Sequence, residues 1–139
     1  MALGLENGVA VALVAEGLGS AIGTDVFVGE EPPTPDDSIT VLESPGGRSE
    51  QAITETHIIT IRVRNLDYET GKSLLQDIHQ FLVPFGNQRQ GALFGSIAVM
   101  FVKSTAPGVP GGRDDHSSGG RWRFSQSFEM ITKQNLAYA

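Results

Sequence analysis

The amino-acid sequence predicts an α+β fold: a single layer of mostly antiparallel sheet, about five strands wide, with two helices packed on one face. The first observation is a segment at residues 57–64 whose apolar and polar residues alternate, which is the period of a half-buried strand. The second is an amphipathic helix directly after it, and the third is another alternating segment at residues 120–133. A chain of 139 residues suits one domain, so we expect a single domain over residues 1–139.

The first predicted element is a helix over residues 3–18, which Gly19 ends. One side of its helical wheel is apolar, at Leu5, Val9, Ala12 and Leu13. The opposite side is apolar as well, at Val11, Val14 and Leu18. A helix that is apolar on both sides needs two covers, and a small sheet supplies only one. We therefore expect a second subunit to cover the side formed by Val11, Val14 and Leu18, with deep burial of the whole segment as the alternative.

An acidic, proline-rich segment follows a short strand at residues 24–29. It covers residues 30–37 and reads Glu-Glu-Pro-Pro-Thr-Pro-Asp-Asp, and its prolines exclude both a helix and a central strand. We interpret it as a solvated, extended loop, and a charged docking surface is the alternative. A strand at residues 38–44 comes next, after which Pro45-Gly46-Gly47 is expected to turn the chain.

The central unit is a strand followed at once by a helix. The strand places three β-branched residues on one face, at Ile59, Ile61 and Val63. Asp67 lies where a helix N-cap belongs. The helix after it has an apolar arc formed by Leu74, Leu75, Ile78, Phe81 and Leu82. His79 falls on the opposite, solvent side of the wheel. The two apolar faces, of the strand and of the helix, are therefore expected to pack together.

The last third of the chain predicts a hairpin. Residues 91–103 form one long strand that is apolar on both faces, which implies cover on both sides. Residues 104–119 are rich in glycine and proline and predict a flexible loop. Loops of this length are usually functional or disordered. In the closing strand, large apolar residues alternate with polar ones, at Trp122, Phe124, Phe128 and Met130. Residues 134–139 are expected to be a loose tail.

Arginines lie on the polar faces of two predicted strands, Arg62 and Arg64 on one and Arg121 and Arg123 on the other. If these strands are neighbours, the arginines form a basic patch. Such a patch serves ordinary solubility or pairs with an acidic neighbouring subunit. We assign the predicted subunit or partner interface to these arginines and to the charged loop residues Arg113, Asp114 and Asp115.

Composition argues against several kinds of chemistry. The chain has no cysteine, which excludes disulfides, zinc–cysteine sites and thiol catalysis. Its histidines lack the spacing of a helical metal site, and its glycine-rich segment lacks the ending of a phosphate loop. A net charge of −6 argues against a surface that grips nucleic acid. The apolar run at residues 8–18 is too short to cross a bilayer. We expect no catalytic site, no cofactor, no metal and no membrane partner.

Three segments together resemble a known group of proteins. The first is residues 30–37 leading into Ile39-Thr40-Val41. The second is the strand Ile59-Thr60-Ile61-Arg62-Val63-Arg64, which turns through residues 67–71 into the helix that ends Ile78-His79-Gln80-Phe81-Leu82. The third is the closing strand at residues 120–129. In this order they resemble the tail-terminator group, which are small minor capsid or tail-completion proteins of long-tailed bacteriophages.

The resemblance implies a structural virion protein of the tail or neck, assembled in the host cytoplasm. Such a protein forms a ring of its own copies, commonly a hexamer, that caps the tail tube, ends tube polymerisation and offers a surface to the head connector. Its partners are then itself, the tail-tube protein and the head connector or neck proteins, while DNA passes through the ring without tight binding. The alternatives are another neck or head–tail joining protein, or a small α+β module that binds a ligand.

Overall fold

The alternating segments of the sequence become the two central strands of one mixed sheet. The computed structural model of the protein describes residues 4–48, 54–83, 88–94, 97–105, 109–114 and 121–133. Their elements are, in chain order, α1 (Leu5–Ala15), β1 (Val26–Val28), β2 (Ser38–Arg48), β3 (Thr54–Asn65), α2 (Tyr68–Leu82), β4 (Gln88–Phe94), β5 (Ile97–Ser104), β6 (Val109–Asp114) and β7 (Arg121–Lys133). The described strands lie in the order β1-β2-β3-β7-β5-β4, with β6 paired to β7, and the pair β1–β2 is parallel while the other pairs are antiparallel. The predicted fold class is therefore confirmed.

One side of the sheet, here called the inner face, packs against both helices. Ile59, Ile61 and Val63 of β3 are fully buried there, opposite Phe128 and Phe124 of β7. The helix α2 covers these strands with its predicted apolar arc, of which Leu75, Ile78 and Leu82 are buried. The other side of the sheet, here called the outer face, carries the alternate residues of the same strands.

The helix α2 begins as the sequence predicts. The Asp67 carboxylate accepts a hydrogen bond from the backbone N–H of Thr70 at 3.0 Å and another from its hydroxyl at 2.5 Å, which satisfies one of the orphan donors of the first turn. These bonds hold the pKa of Asp67 below its usual value. The prediction that His79 lies on the solvent side is wrong, because its ring is half-buried and the centroid of that ring lies 6.0 Å from the centroid of the Phe128 ring.

The helix α1 connects the two edges of the sheet. Its main strand contacts are with β1 and β2 on one side and with β4 on the other. Neighbouring strands lie about 4.8 Å apart, so a flat sheet of this width would not bring both edges to one helix, and the sheet must curve around it. Gly8 allows the close approach to β4, since a Cβ at this position would lie 2.4 Å from the carbonyl oxygen of Phe94.

Two of the three residues predicted for the outward side of α1 face the core instead. Val14 and Leu18 are half-buried and pack against the hydrophobic core, whereas Val11 is 40% exposed. The helix also ends earlier than predicted, at Ala15, so the 3.6-residue wheel does not extend to Leu18. Val11 is thus the most exposed of the three, and the assignment of Val11, Val14 and Leu18 to a subunit surface stays a prediction.

Three predictions about the strands need correction. The expected turn at Pro45-Gly46-Gly47 is wrong, because β2 continues through a bulge there and still pairs with β3 at Arg48. The single strand expected at residues 91–103 is instead an antiparallel pair, β4 and β5. Within the loop expected at residues 104–119, residues 109–114 form β6. The predicted tail at residues 134–139 lies outside the described residues.

The strand β6 forms because β7 is longer than β5. β5 pairs with residues 128–132 of β7, and β6 continues along the same edge of β7 at residues 121–125. Thr105 bonds to the Ser127 carbonyl between these two stretches. Without β6, the backbone groups on that edge of β7 would lack partners. The predicted hairpin is thus present, and its arm extends into the segment expected to be a loop.

Candidate functional site

The predicted arginine patch exists on the outer face, because β3 and β7 are neighbours. Arg64 of β3 lies directly opposite Arg123 of β7, and Arg62 lies opposite Ser125. Like charges that face each other across two strands destabilise the pair unless an anion lies between them. The source of that anion decides whether the patch is free for a partner.

The anion comes from the chain's own acidic segment. Residues 31–37, here called the strap, cross the outer face beside these arginines. A carboxylate oxygen of Glu31 lies 2.9 Å from Nη2 of Arg123 and 3.6 Å from Nη1 of Arg64. The carbonyl of Pro35 accepts a hydrogen bond from Arg64 at 2.5 Å. Glu31 therefore neutralises both arginines, and its own side chain is only 10% exposed.

The strap is fixed at further points along its length. Arg121 donates a hydrogen bond to the carbonyl of Pro33 and lies 3.6 Å from a carboxylate oxygen of Asp36. The Asp37 carboxylate accepts a hydrogen bond from the backbone N–H of Leu66 at 3.0 Å. The interpretation of this segment as a solvated loop is therefore wrong, because five of its residues hold side chains or backbone of β3, β7 and the turn after β3.

The arginines of the predicted interface consequently divide into two groups. Arg64 and Arg121 are 1% and 4% exposed and are held by the strap, so they do not face a partner in this structure. Within the chain they bind the strap, and their assignment to a subunit interface stays a prediction. Arg123 is 44% exposed although it pairs with Glu31, and Arg62 is exposed. In the described part of the chain no carboxylate pairs with Arg62.

At the opposite end of the outer face lies an apolar surface, here called the outer patch: Ile58, Met100, Phe101 and Ile131. Phe101 and Ile131 face each other across β5 and β7, and Met100 is 52% exposed at the bulge beside them. Ile58 lies on the outer face of β3, two residues from Thr60, whose hydroxyl bonds that of Ser127 at 2.9 Å. None of the four packs against the hydrophobic core.

Sequence reasoning missed the outer patch. The assigned faces of residues 91–103 place Phe101 with Val99, but a bulge between these residues turns Val99 inward and Phe101 outward. A usable signal was present in the pairs Ile58-Ile59 and Met130-Ile131, where two consecutive apolar residues interrupt an otherwise regular alternation. Consecutive apolar residues in a strand place apolar side chains on both faces of the sheet.

A second surface lies on the far side of the domain, on the exposed side of α2. A shallow, open groove there is lined by Glu69, Thr70, Ser73, Leu74 and Asp77. Leu74 is half-buried at its base, while Glu69 and Asp77 are exposed. In the described residues neither carboxylate pairs with a cation. This acidic groove was absent from the predicted interface.

His57 contacts residues of three strands. Nδ1 of His57 lies 3.1 Å from a carboxylate oxygen of Glu43, and Nε2 lies 3.0 Å from the Thr132 hydroxyl and 3.6 Å from Glu55. These contacts join β2, β3 and β7 at one end of the inner face. Across residues 4–48, 54–83, 88–94, 97–105, 109–114 and 121–133, no group of three or more histidine and carboxylate side chains could hold a metal ion.

The remaining charged residues of the predicted interface lie in or beside β6. Arg113 and Asp114 pair through their backbones with Trp122 and Arg121 of β7. Asp115 lies outside the described residues. Their assignment to a partner contact stays a prediction.

Comparison with known proteins adds an independent finding. The sequence profile of a family described as bacteriophage tail terminator protein matches residues 13–134 of this chain. No curated protein sequence matches it. None of the helices in the described part of the chain is long and apolar enough to cross a membrane. The family match extends from the C-terminal part of α1 to the end of β7, and so includes the strap, the outer patch and the acidic groove. The chain therefore belongs to the bacteriophage tail terminator family and is a structural protein of the phage tail that contacts other tail and head–tail proteins.

Proposed function

We propose that this protein caps the tail tube as a ring of its own copies, six in number, which ends tube polymerisation and provides the surface that joins the head connector. The family supports a role at the end of the tail. The outer patch is the observation that carries the step to a ring. Its apolar side chains lie on the surface of a protein that already buries a complete core on the other face of the sheet. Partly exposed apolar side chains gathered at one end of a sheet face favour a protein interface.

A closed ring requires each copy to present two different surfaces, one of which meets the other on its neighbour. The outer face of the sheet and the outer side of α2 are two such surfaces. The tail tube and the connector then bind the two ends of the ring, and assembly takes place in the host cytoplasm before the head joins.

The ring surrounds the path of the DNA and does not hold it tightly. The net charge of −6 supports this, because tight binding to duplex DNA needs clustered cations that neutralise phosphates. Two arginines of the outer face are buried under the strap, which further lowers the positive charge that reaches solvent. The expected result of a filter-binding assay is weak retention of duplex DNA at physiological salt; tight retention would contradict the proposed passage.

The proposal is tested with tail tubes polymerised from the purified tube protein of the same phage. Tube length is measured by electron microscopy with and without the wild-type chain, which is expected to arrest growth and to leave a ring at one tip. Ile58→Thr with Ile131→Thr keeps β-branched residues in the strands but makes the outer patch polar, and is expected to abolish the arrest.

The matched control is Leu66→Thr, an equivalent change at a 47% exposed position outside the outer patch, which is expected to arrest growth normally. Circular dichroism verifies that all variants fold. Tubes that continue to grow in the presence of the wild-type chain would refute the capping role. Normal arrest by the double variant would remove the outer patch from it.

A further inference from the structure

The outer face has an exposed cation near its centre. Arg62 lies on β3, opposite Thr40 of β2 on one side and Ser125 of β7 on the other. Its three arginine neighbours on this face differ from it, because the strap supplies each of them with a carboxylate. Arg62 is exposed, and the part of the chain that the structure describes offers it no carboxylate.

The acidic groove carries negative charge and lies on the other side of the sheet from Arg62. Helix α2 packs on the inner face of β3 and β7, and Arg62 projects from the outer face of β3, so the sheet separates the two surfaces. The carboxylates of Glu69 and Asp77 lie on either side of Leu74, spaced about 12 Å apart along the helix. The groove therefore presents an apolar floor between two anions.

We propose that the outer sheet face of one copy docks on the acidic groove of a second copy, with Arg62 of the first beside Asp77 of the second. The inference rests on the proposed ring and specifies which surfaces meet. Charge complementarity supports it, since the cation and the anions have no oppositely charged partner among the described residues of their own chain. The contact is heterologous, because each copy uses its sheet on one side and α2 on the other, and such contacts form a ring when the rotation between copies closes. The arginine fixes the register, and the apolar residues supply the buried area.

Charge reversal tests this contact in three steps. Arg62→Glu places like charges together at every contact, and Asp77→Arg does the same. Position 77 is in the middle of α2, so reversing its charge does not disturb the interaction of charges with the helix dipole. Each single variant is expected to bind tail tubes about tenfold or more weakly than the wild type, as measured by cosedimentation. The double variant Arg62→Glu with Asp77→Arg restores an opposite-charge pair at every contact and is expected to recover binding.

A mixture of the two single variants gives the sharpest form of the test. In a ring where they alternate, every contact has an opposite-charge pair, either reversed or native. The equimolar mixture is therefore expected to bind tubes when neither variant does so alone. The matched control is Glu16→Arg, which makes the same charge change at an exposed acid outside both surfaces and is expected to bind as wild type.

Cysteine pairing provides a second measurement, since the chain has no cysteine of its own. Arg62→Cys with Asp77→Cys is expected to give a ladder of disulfide-linked copies on tubes after oxidation. The sheet between the two positions keeps their Cα atoms too far apart for a disulfide within one chain. Arg62→Cys with Glu16→Cys is expected to give no ladder.

The outcomes separate this inference from the proposed function. If the wild type does not bind tube ends, the ring cap itself is refuted. If the wild type binds and both charge-reversed variants bind equally well, or if the double variant and the mixture fail to recover, the contact between sheet and α2 is refuted while the cap stands. Disulfide-linked dimers from Arg62→Cys alone would also contradict it, because they would show two sheets face to face.

Discussion

Glu31 lies between two arginines that face each other across neighbouring strands. Its carboxylate is close to both Arg64 and Arg123, and Arg64 is almost completely buried. A buried cation that loses its counter-ion is a large cost, whereas the intact pair contributes little beyond what apolar residues would. The role of Glu31 is thus to make the burial of Arg64 tolerable and to fix the strap on the sheet.

Glu31→Gln is expected to lower the free energy of unfolding by about 3 kcal/mol, because it removes the negative charge beside the buried Arg64. Urea unfolding measures the change. Glu30→Gln is the matched control: its side chain is exposed, and its effect is expected to stay within about 0.5 kcal/mol. Equal stability of the two variants would show that the strap does not depend on this carboxylate.

His79 gives the fold a dependence on pH. Burial lowers the pKa of His79 from its usual value of 6.5, so the unfolded chain binds this proton more tightly than the folded one. Its contribution to stability is therefore present above pH 6.5 and is lost as the pH falls toward the folded pKa. His79→Gln is expected to reduce the loss of stability on acidification across this window, as measured by urea unfolding at several pH values. An unchanged loss would contradict the assignment.

The sequence predicts the role of a residue correctly where that role depends on its near neighbours in the chain. The N-cap Asp67 and the alternation of Ile59, Ile61 and Val63 are set by neighbours within a few positions. The roles of Arg64 and Arg121 were not predicted, because their partners in the strap are 29 and 88 residues away along the chain. The acidic segment and the arginines were both visible in the sequence, but nothing local indicates that they pair within one chain.

At the scale of elements, the contact between α1 and β4 depends on a missing side chain. Gly8 faces the carbonyl of Phe94, which belongs to backbone and cannot rotate away. Gly8→Ala is expected to destabilise the protein by about 1–3 kcal/mol through overpacking, although alanine is the better helix former. Thermal or urea unfolding measures this.

The neighbouring substitution Asn7→Ala serves as the control for Gly8→Ala. It makes the same helix-favouring change one residue away, at a half-exposed position, and is expected to leave stability unchanged or to raise it by about 0.5 kcal/mol. A Gly8→Ala variant as stable as Asn7→Ala would mean that α1 does not approach β4 as closely as the structure describes.

Elements with a strong internal period were predicted well, and those determined by pairing were not. The helix α2 and the strand β7 carry clear periods of 3.6 and 2 residues. The strand β6 (Val109–Asp114) has a composition of proline and glycine that resembles a loop, and it forms because β7 offers it an edge. The continuation of β2 through Pro45 likewise depends on its partner β3. Such partners are remote in sequence, so local propensity does not reveal them.

For the whole molecule, the two faces of the sheet have different roles. The inner face and the helices hold the chain together in one core. The outer face is closed at one end by the strap and open at the other end at the outer patch, with the exposed Arg62 on β3 between them. A face that exposes apolar side chains at one end and a single arginine near its centre suits a protein that joins copies of itself at the end of a tube.

The measurement that tests this account most directly is cryo-electron microscopy of tail ends capped by the wild-type chain, at a resolution that traces its sheet. The account predicts a closed ring at the tip, in which each outer patch is covered by the next copy. Capped tips that lack such a ring, or a ring whose outer patches all face solvent, would contradict it.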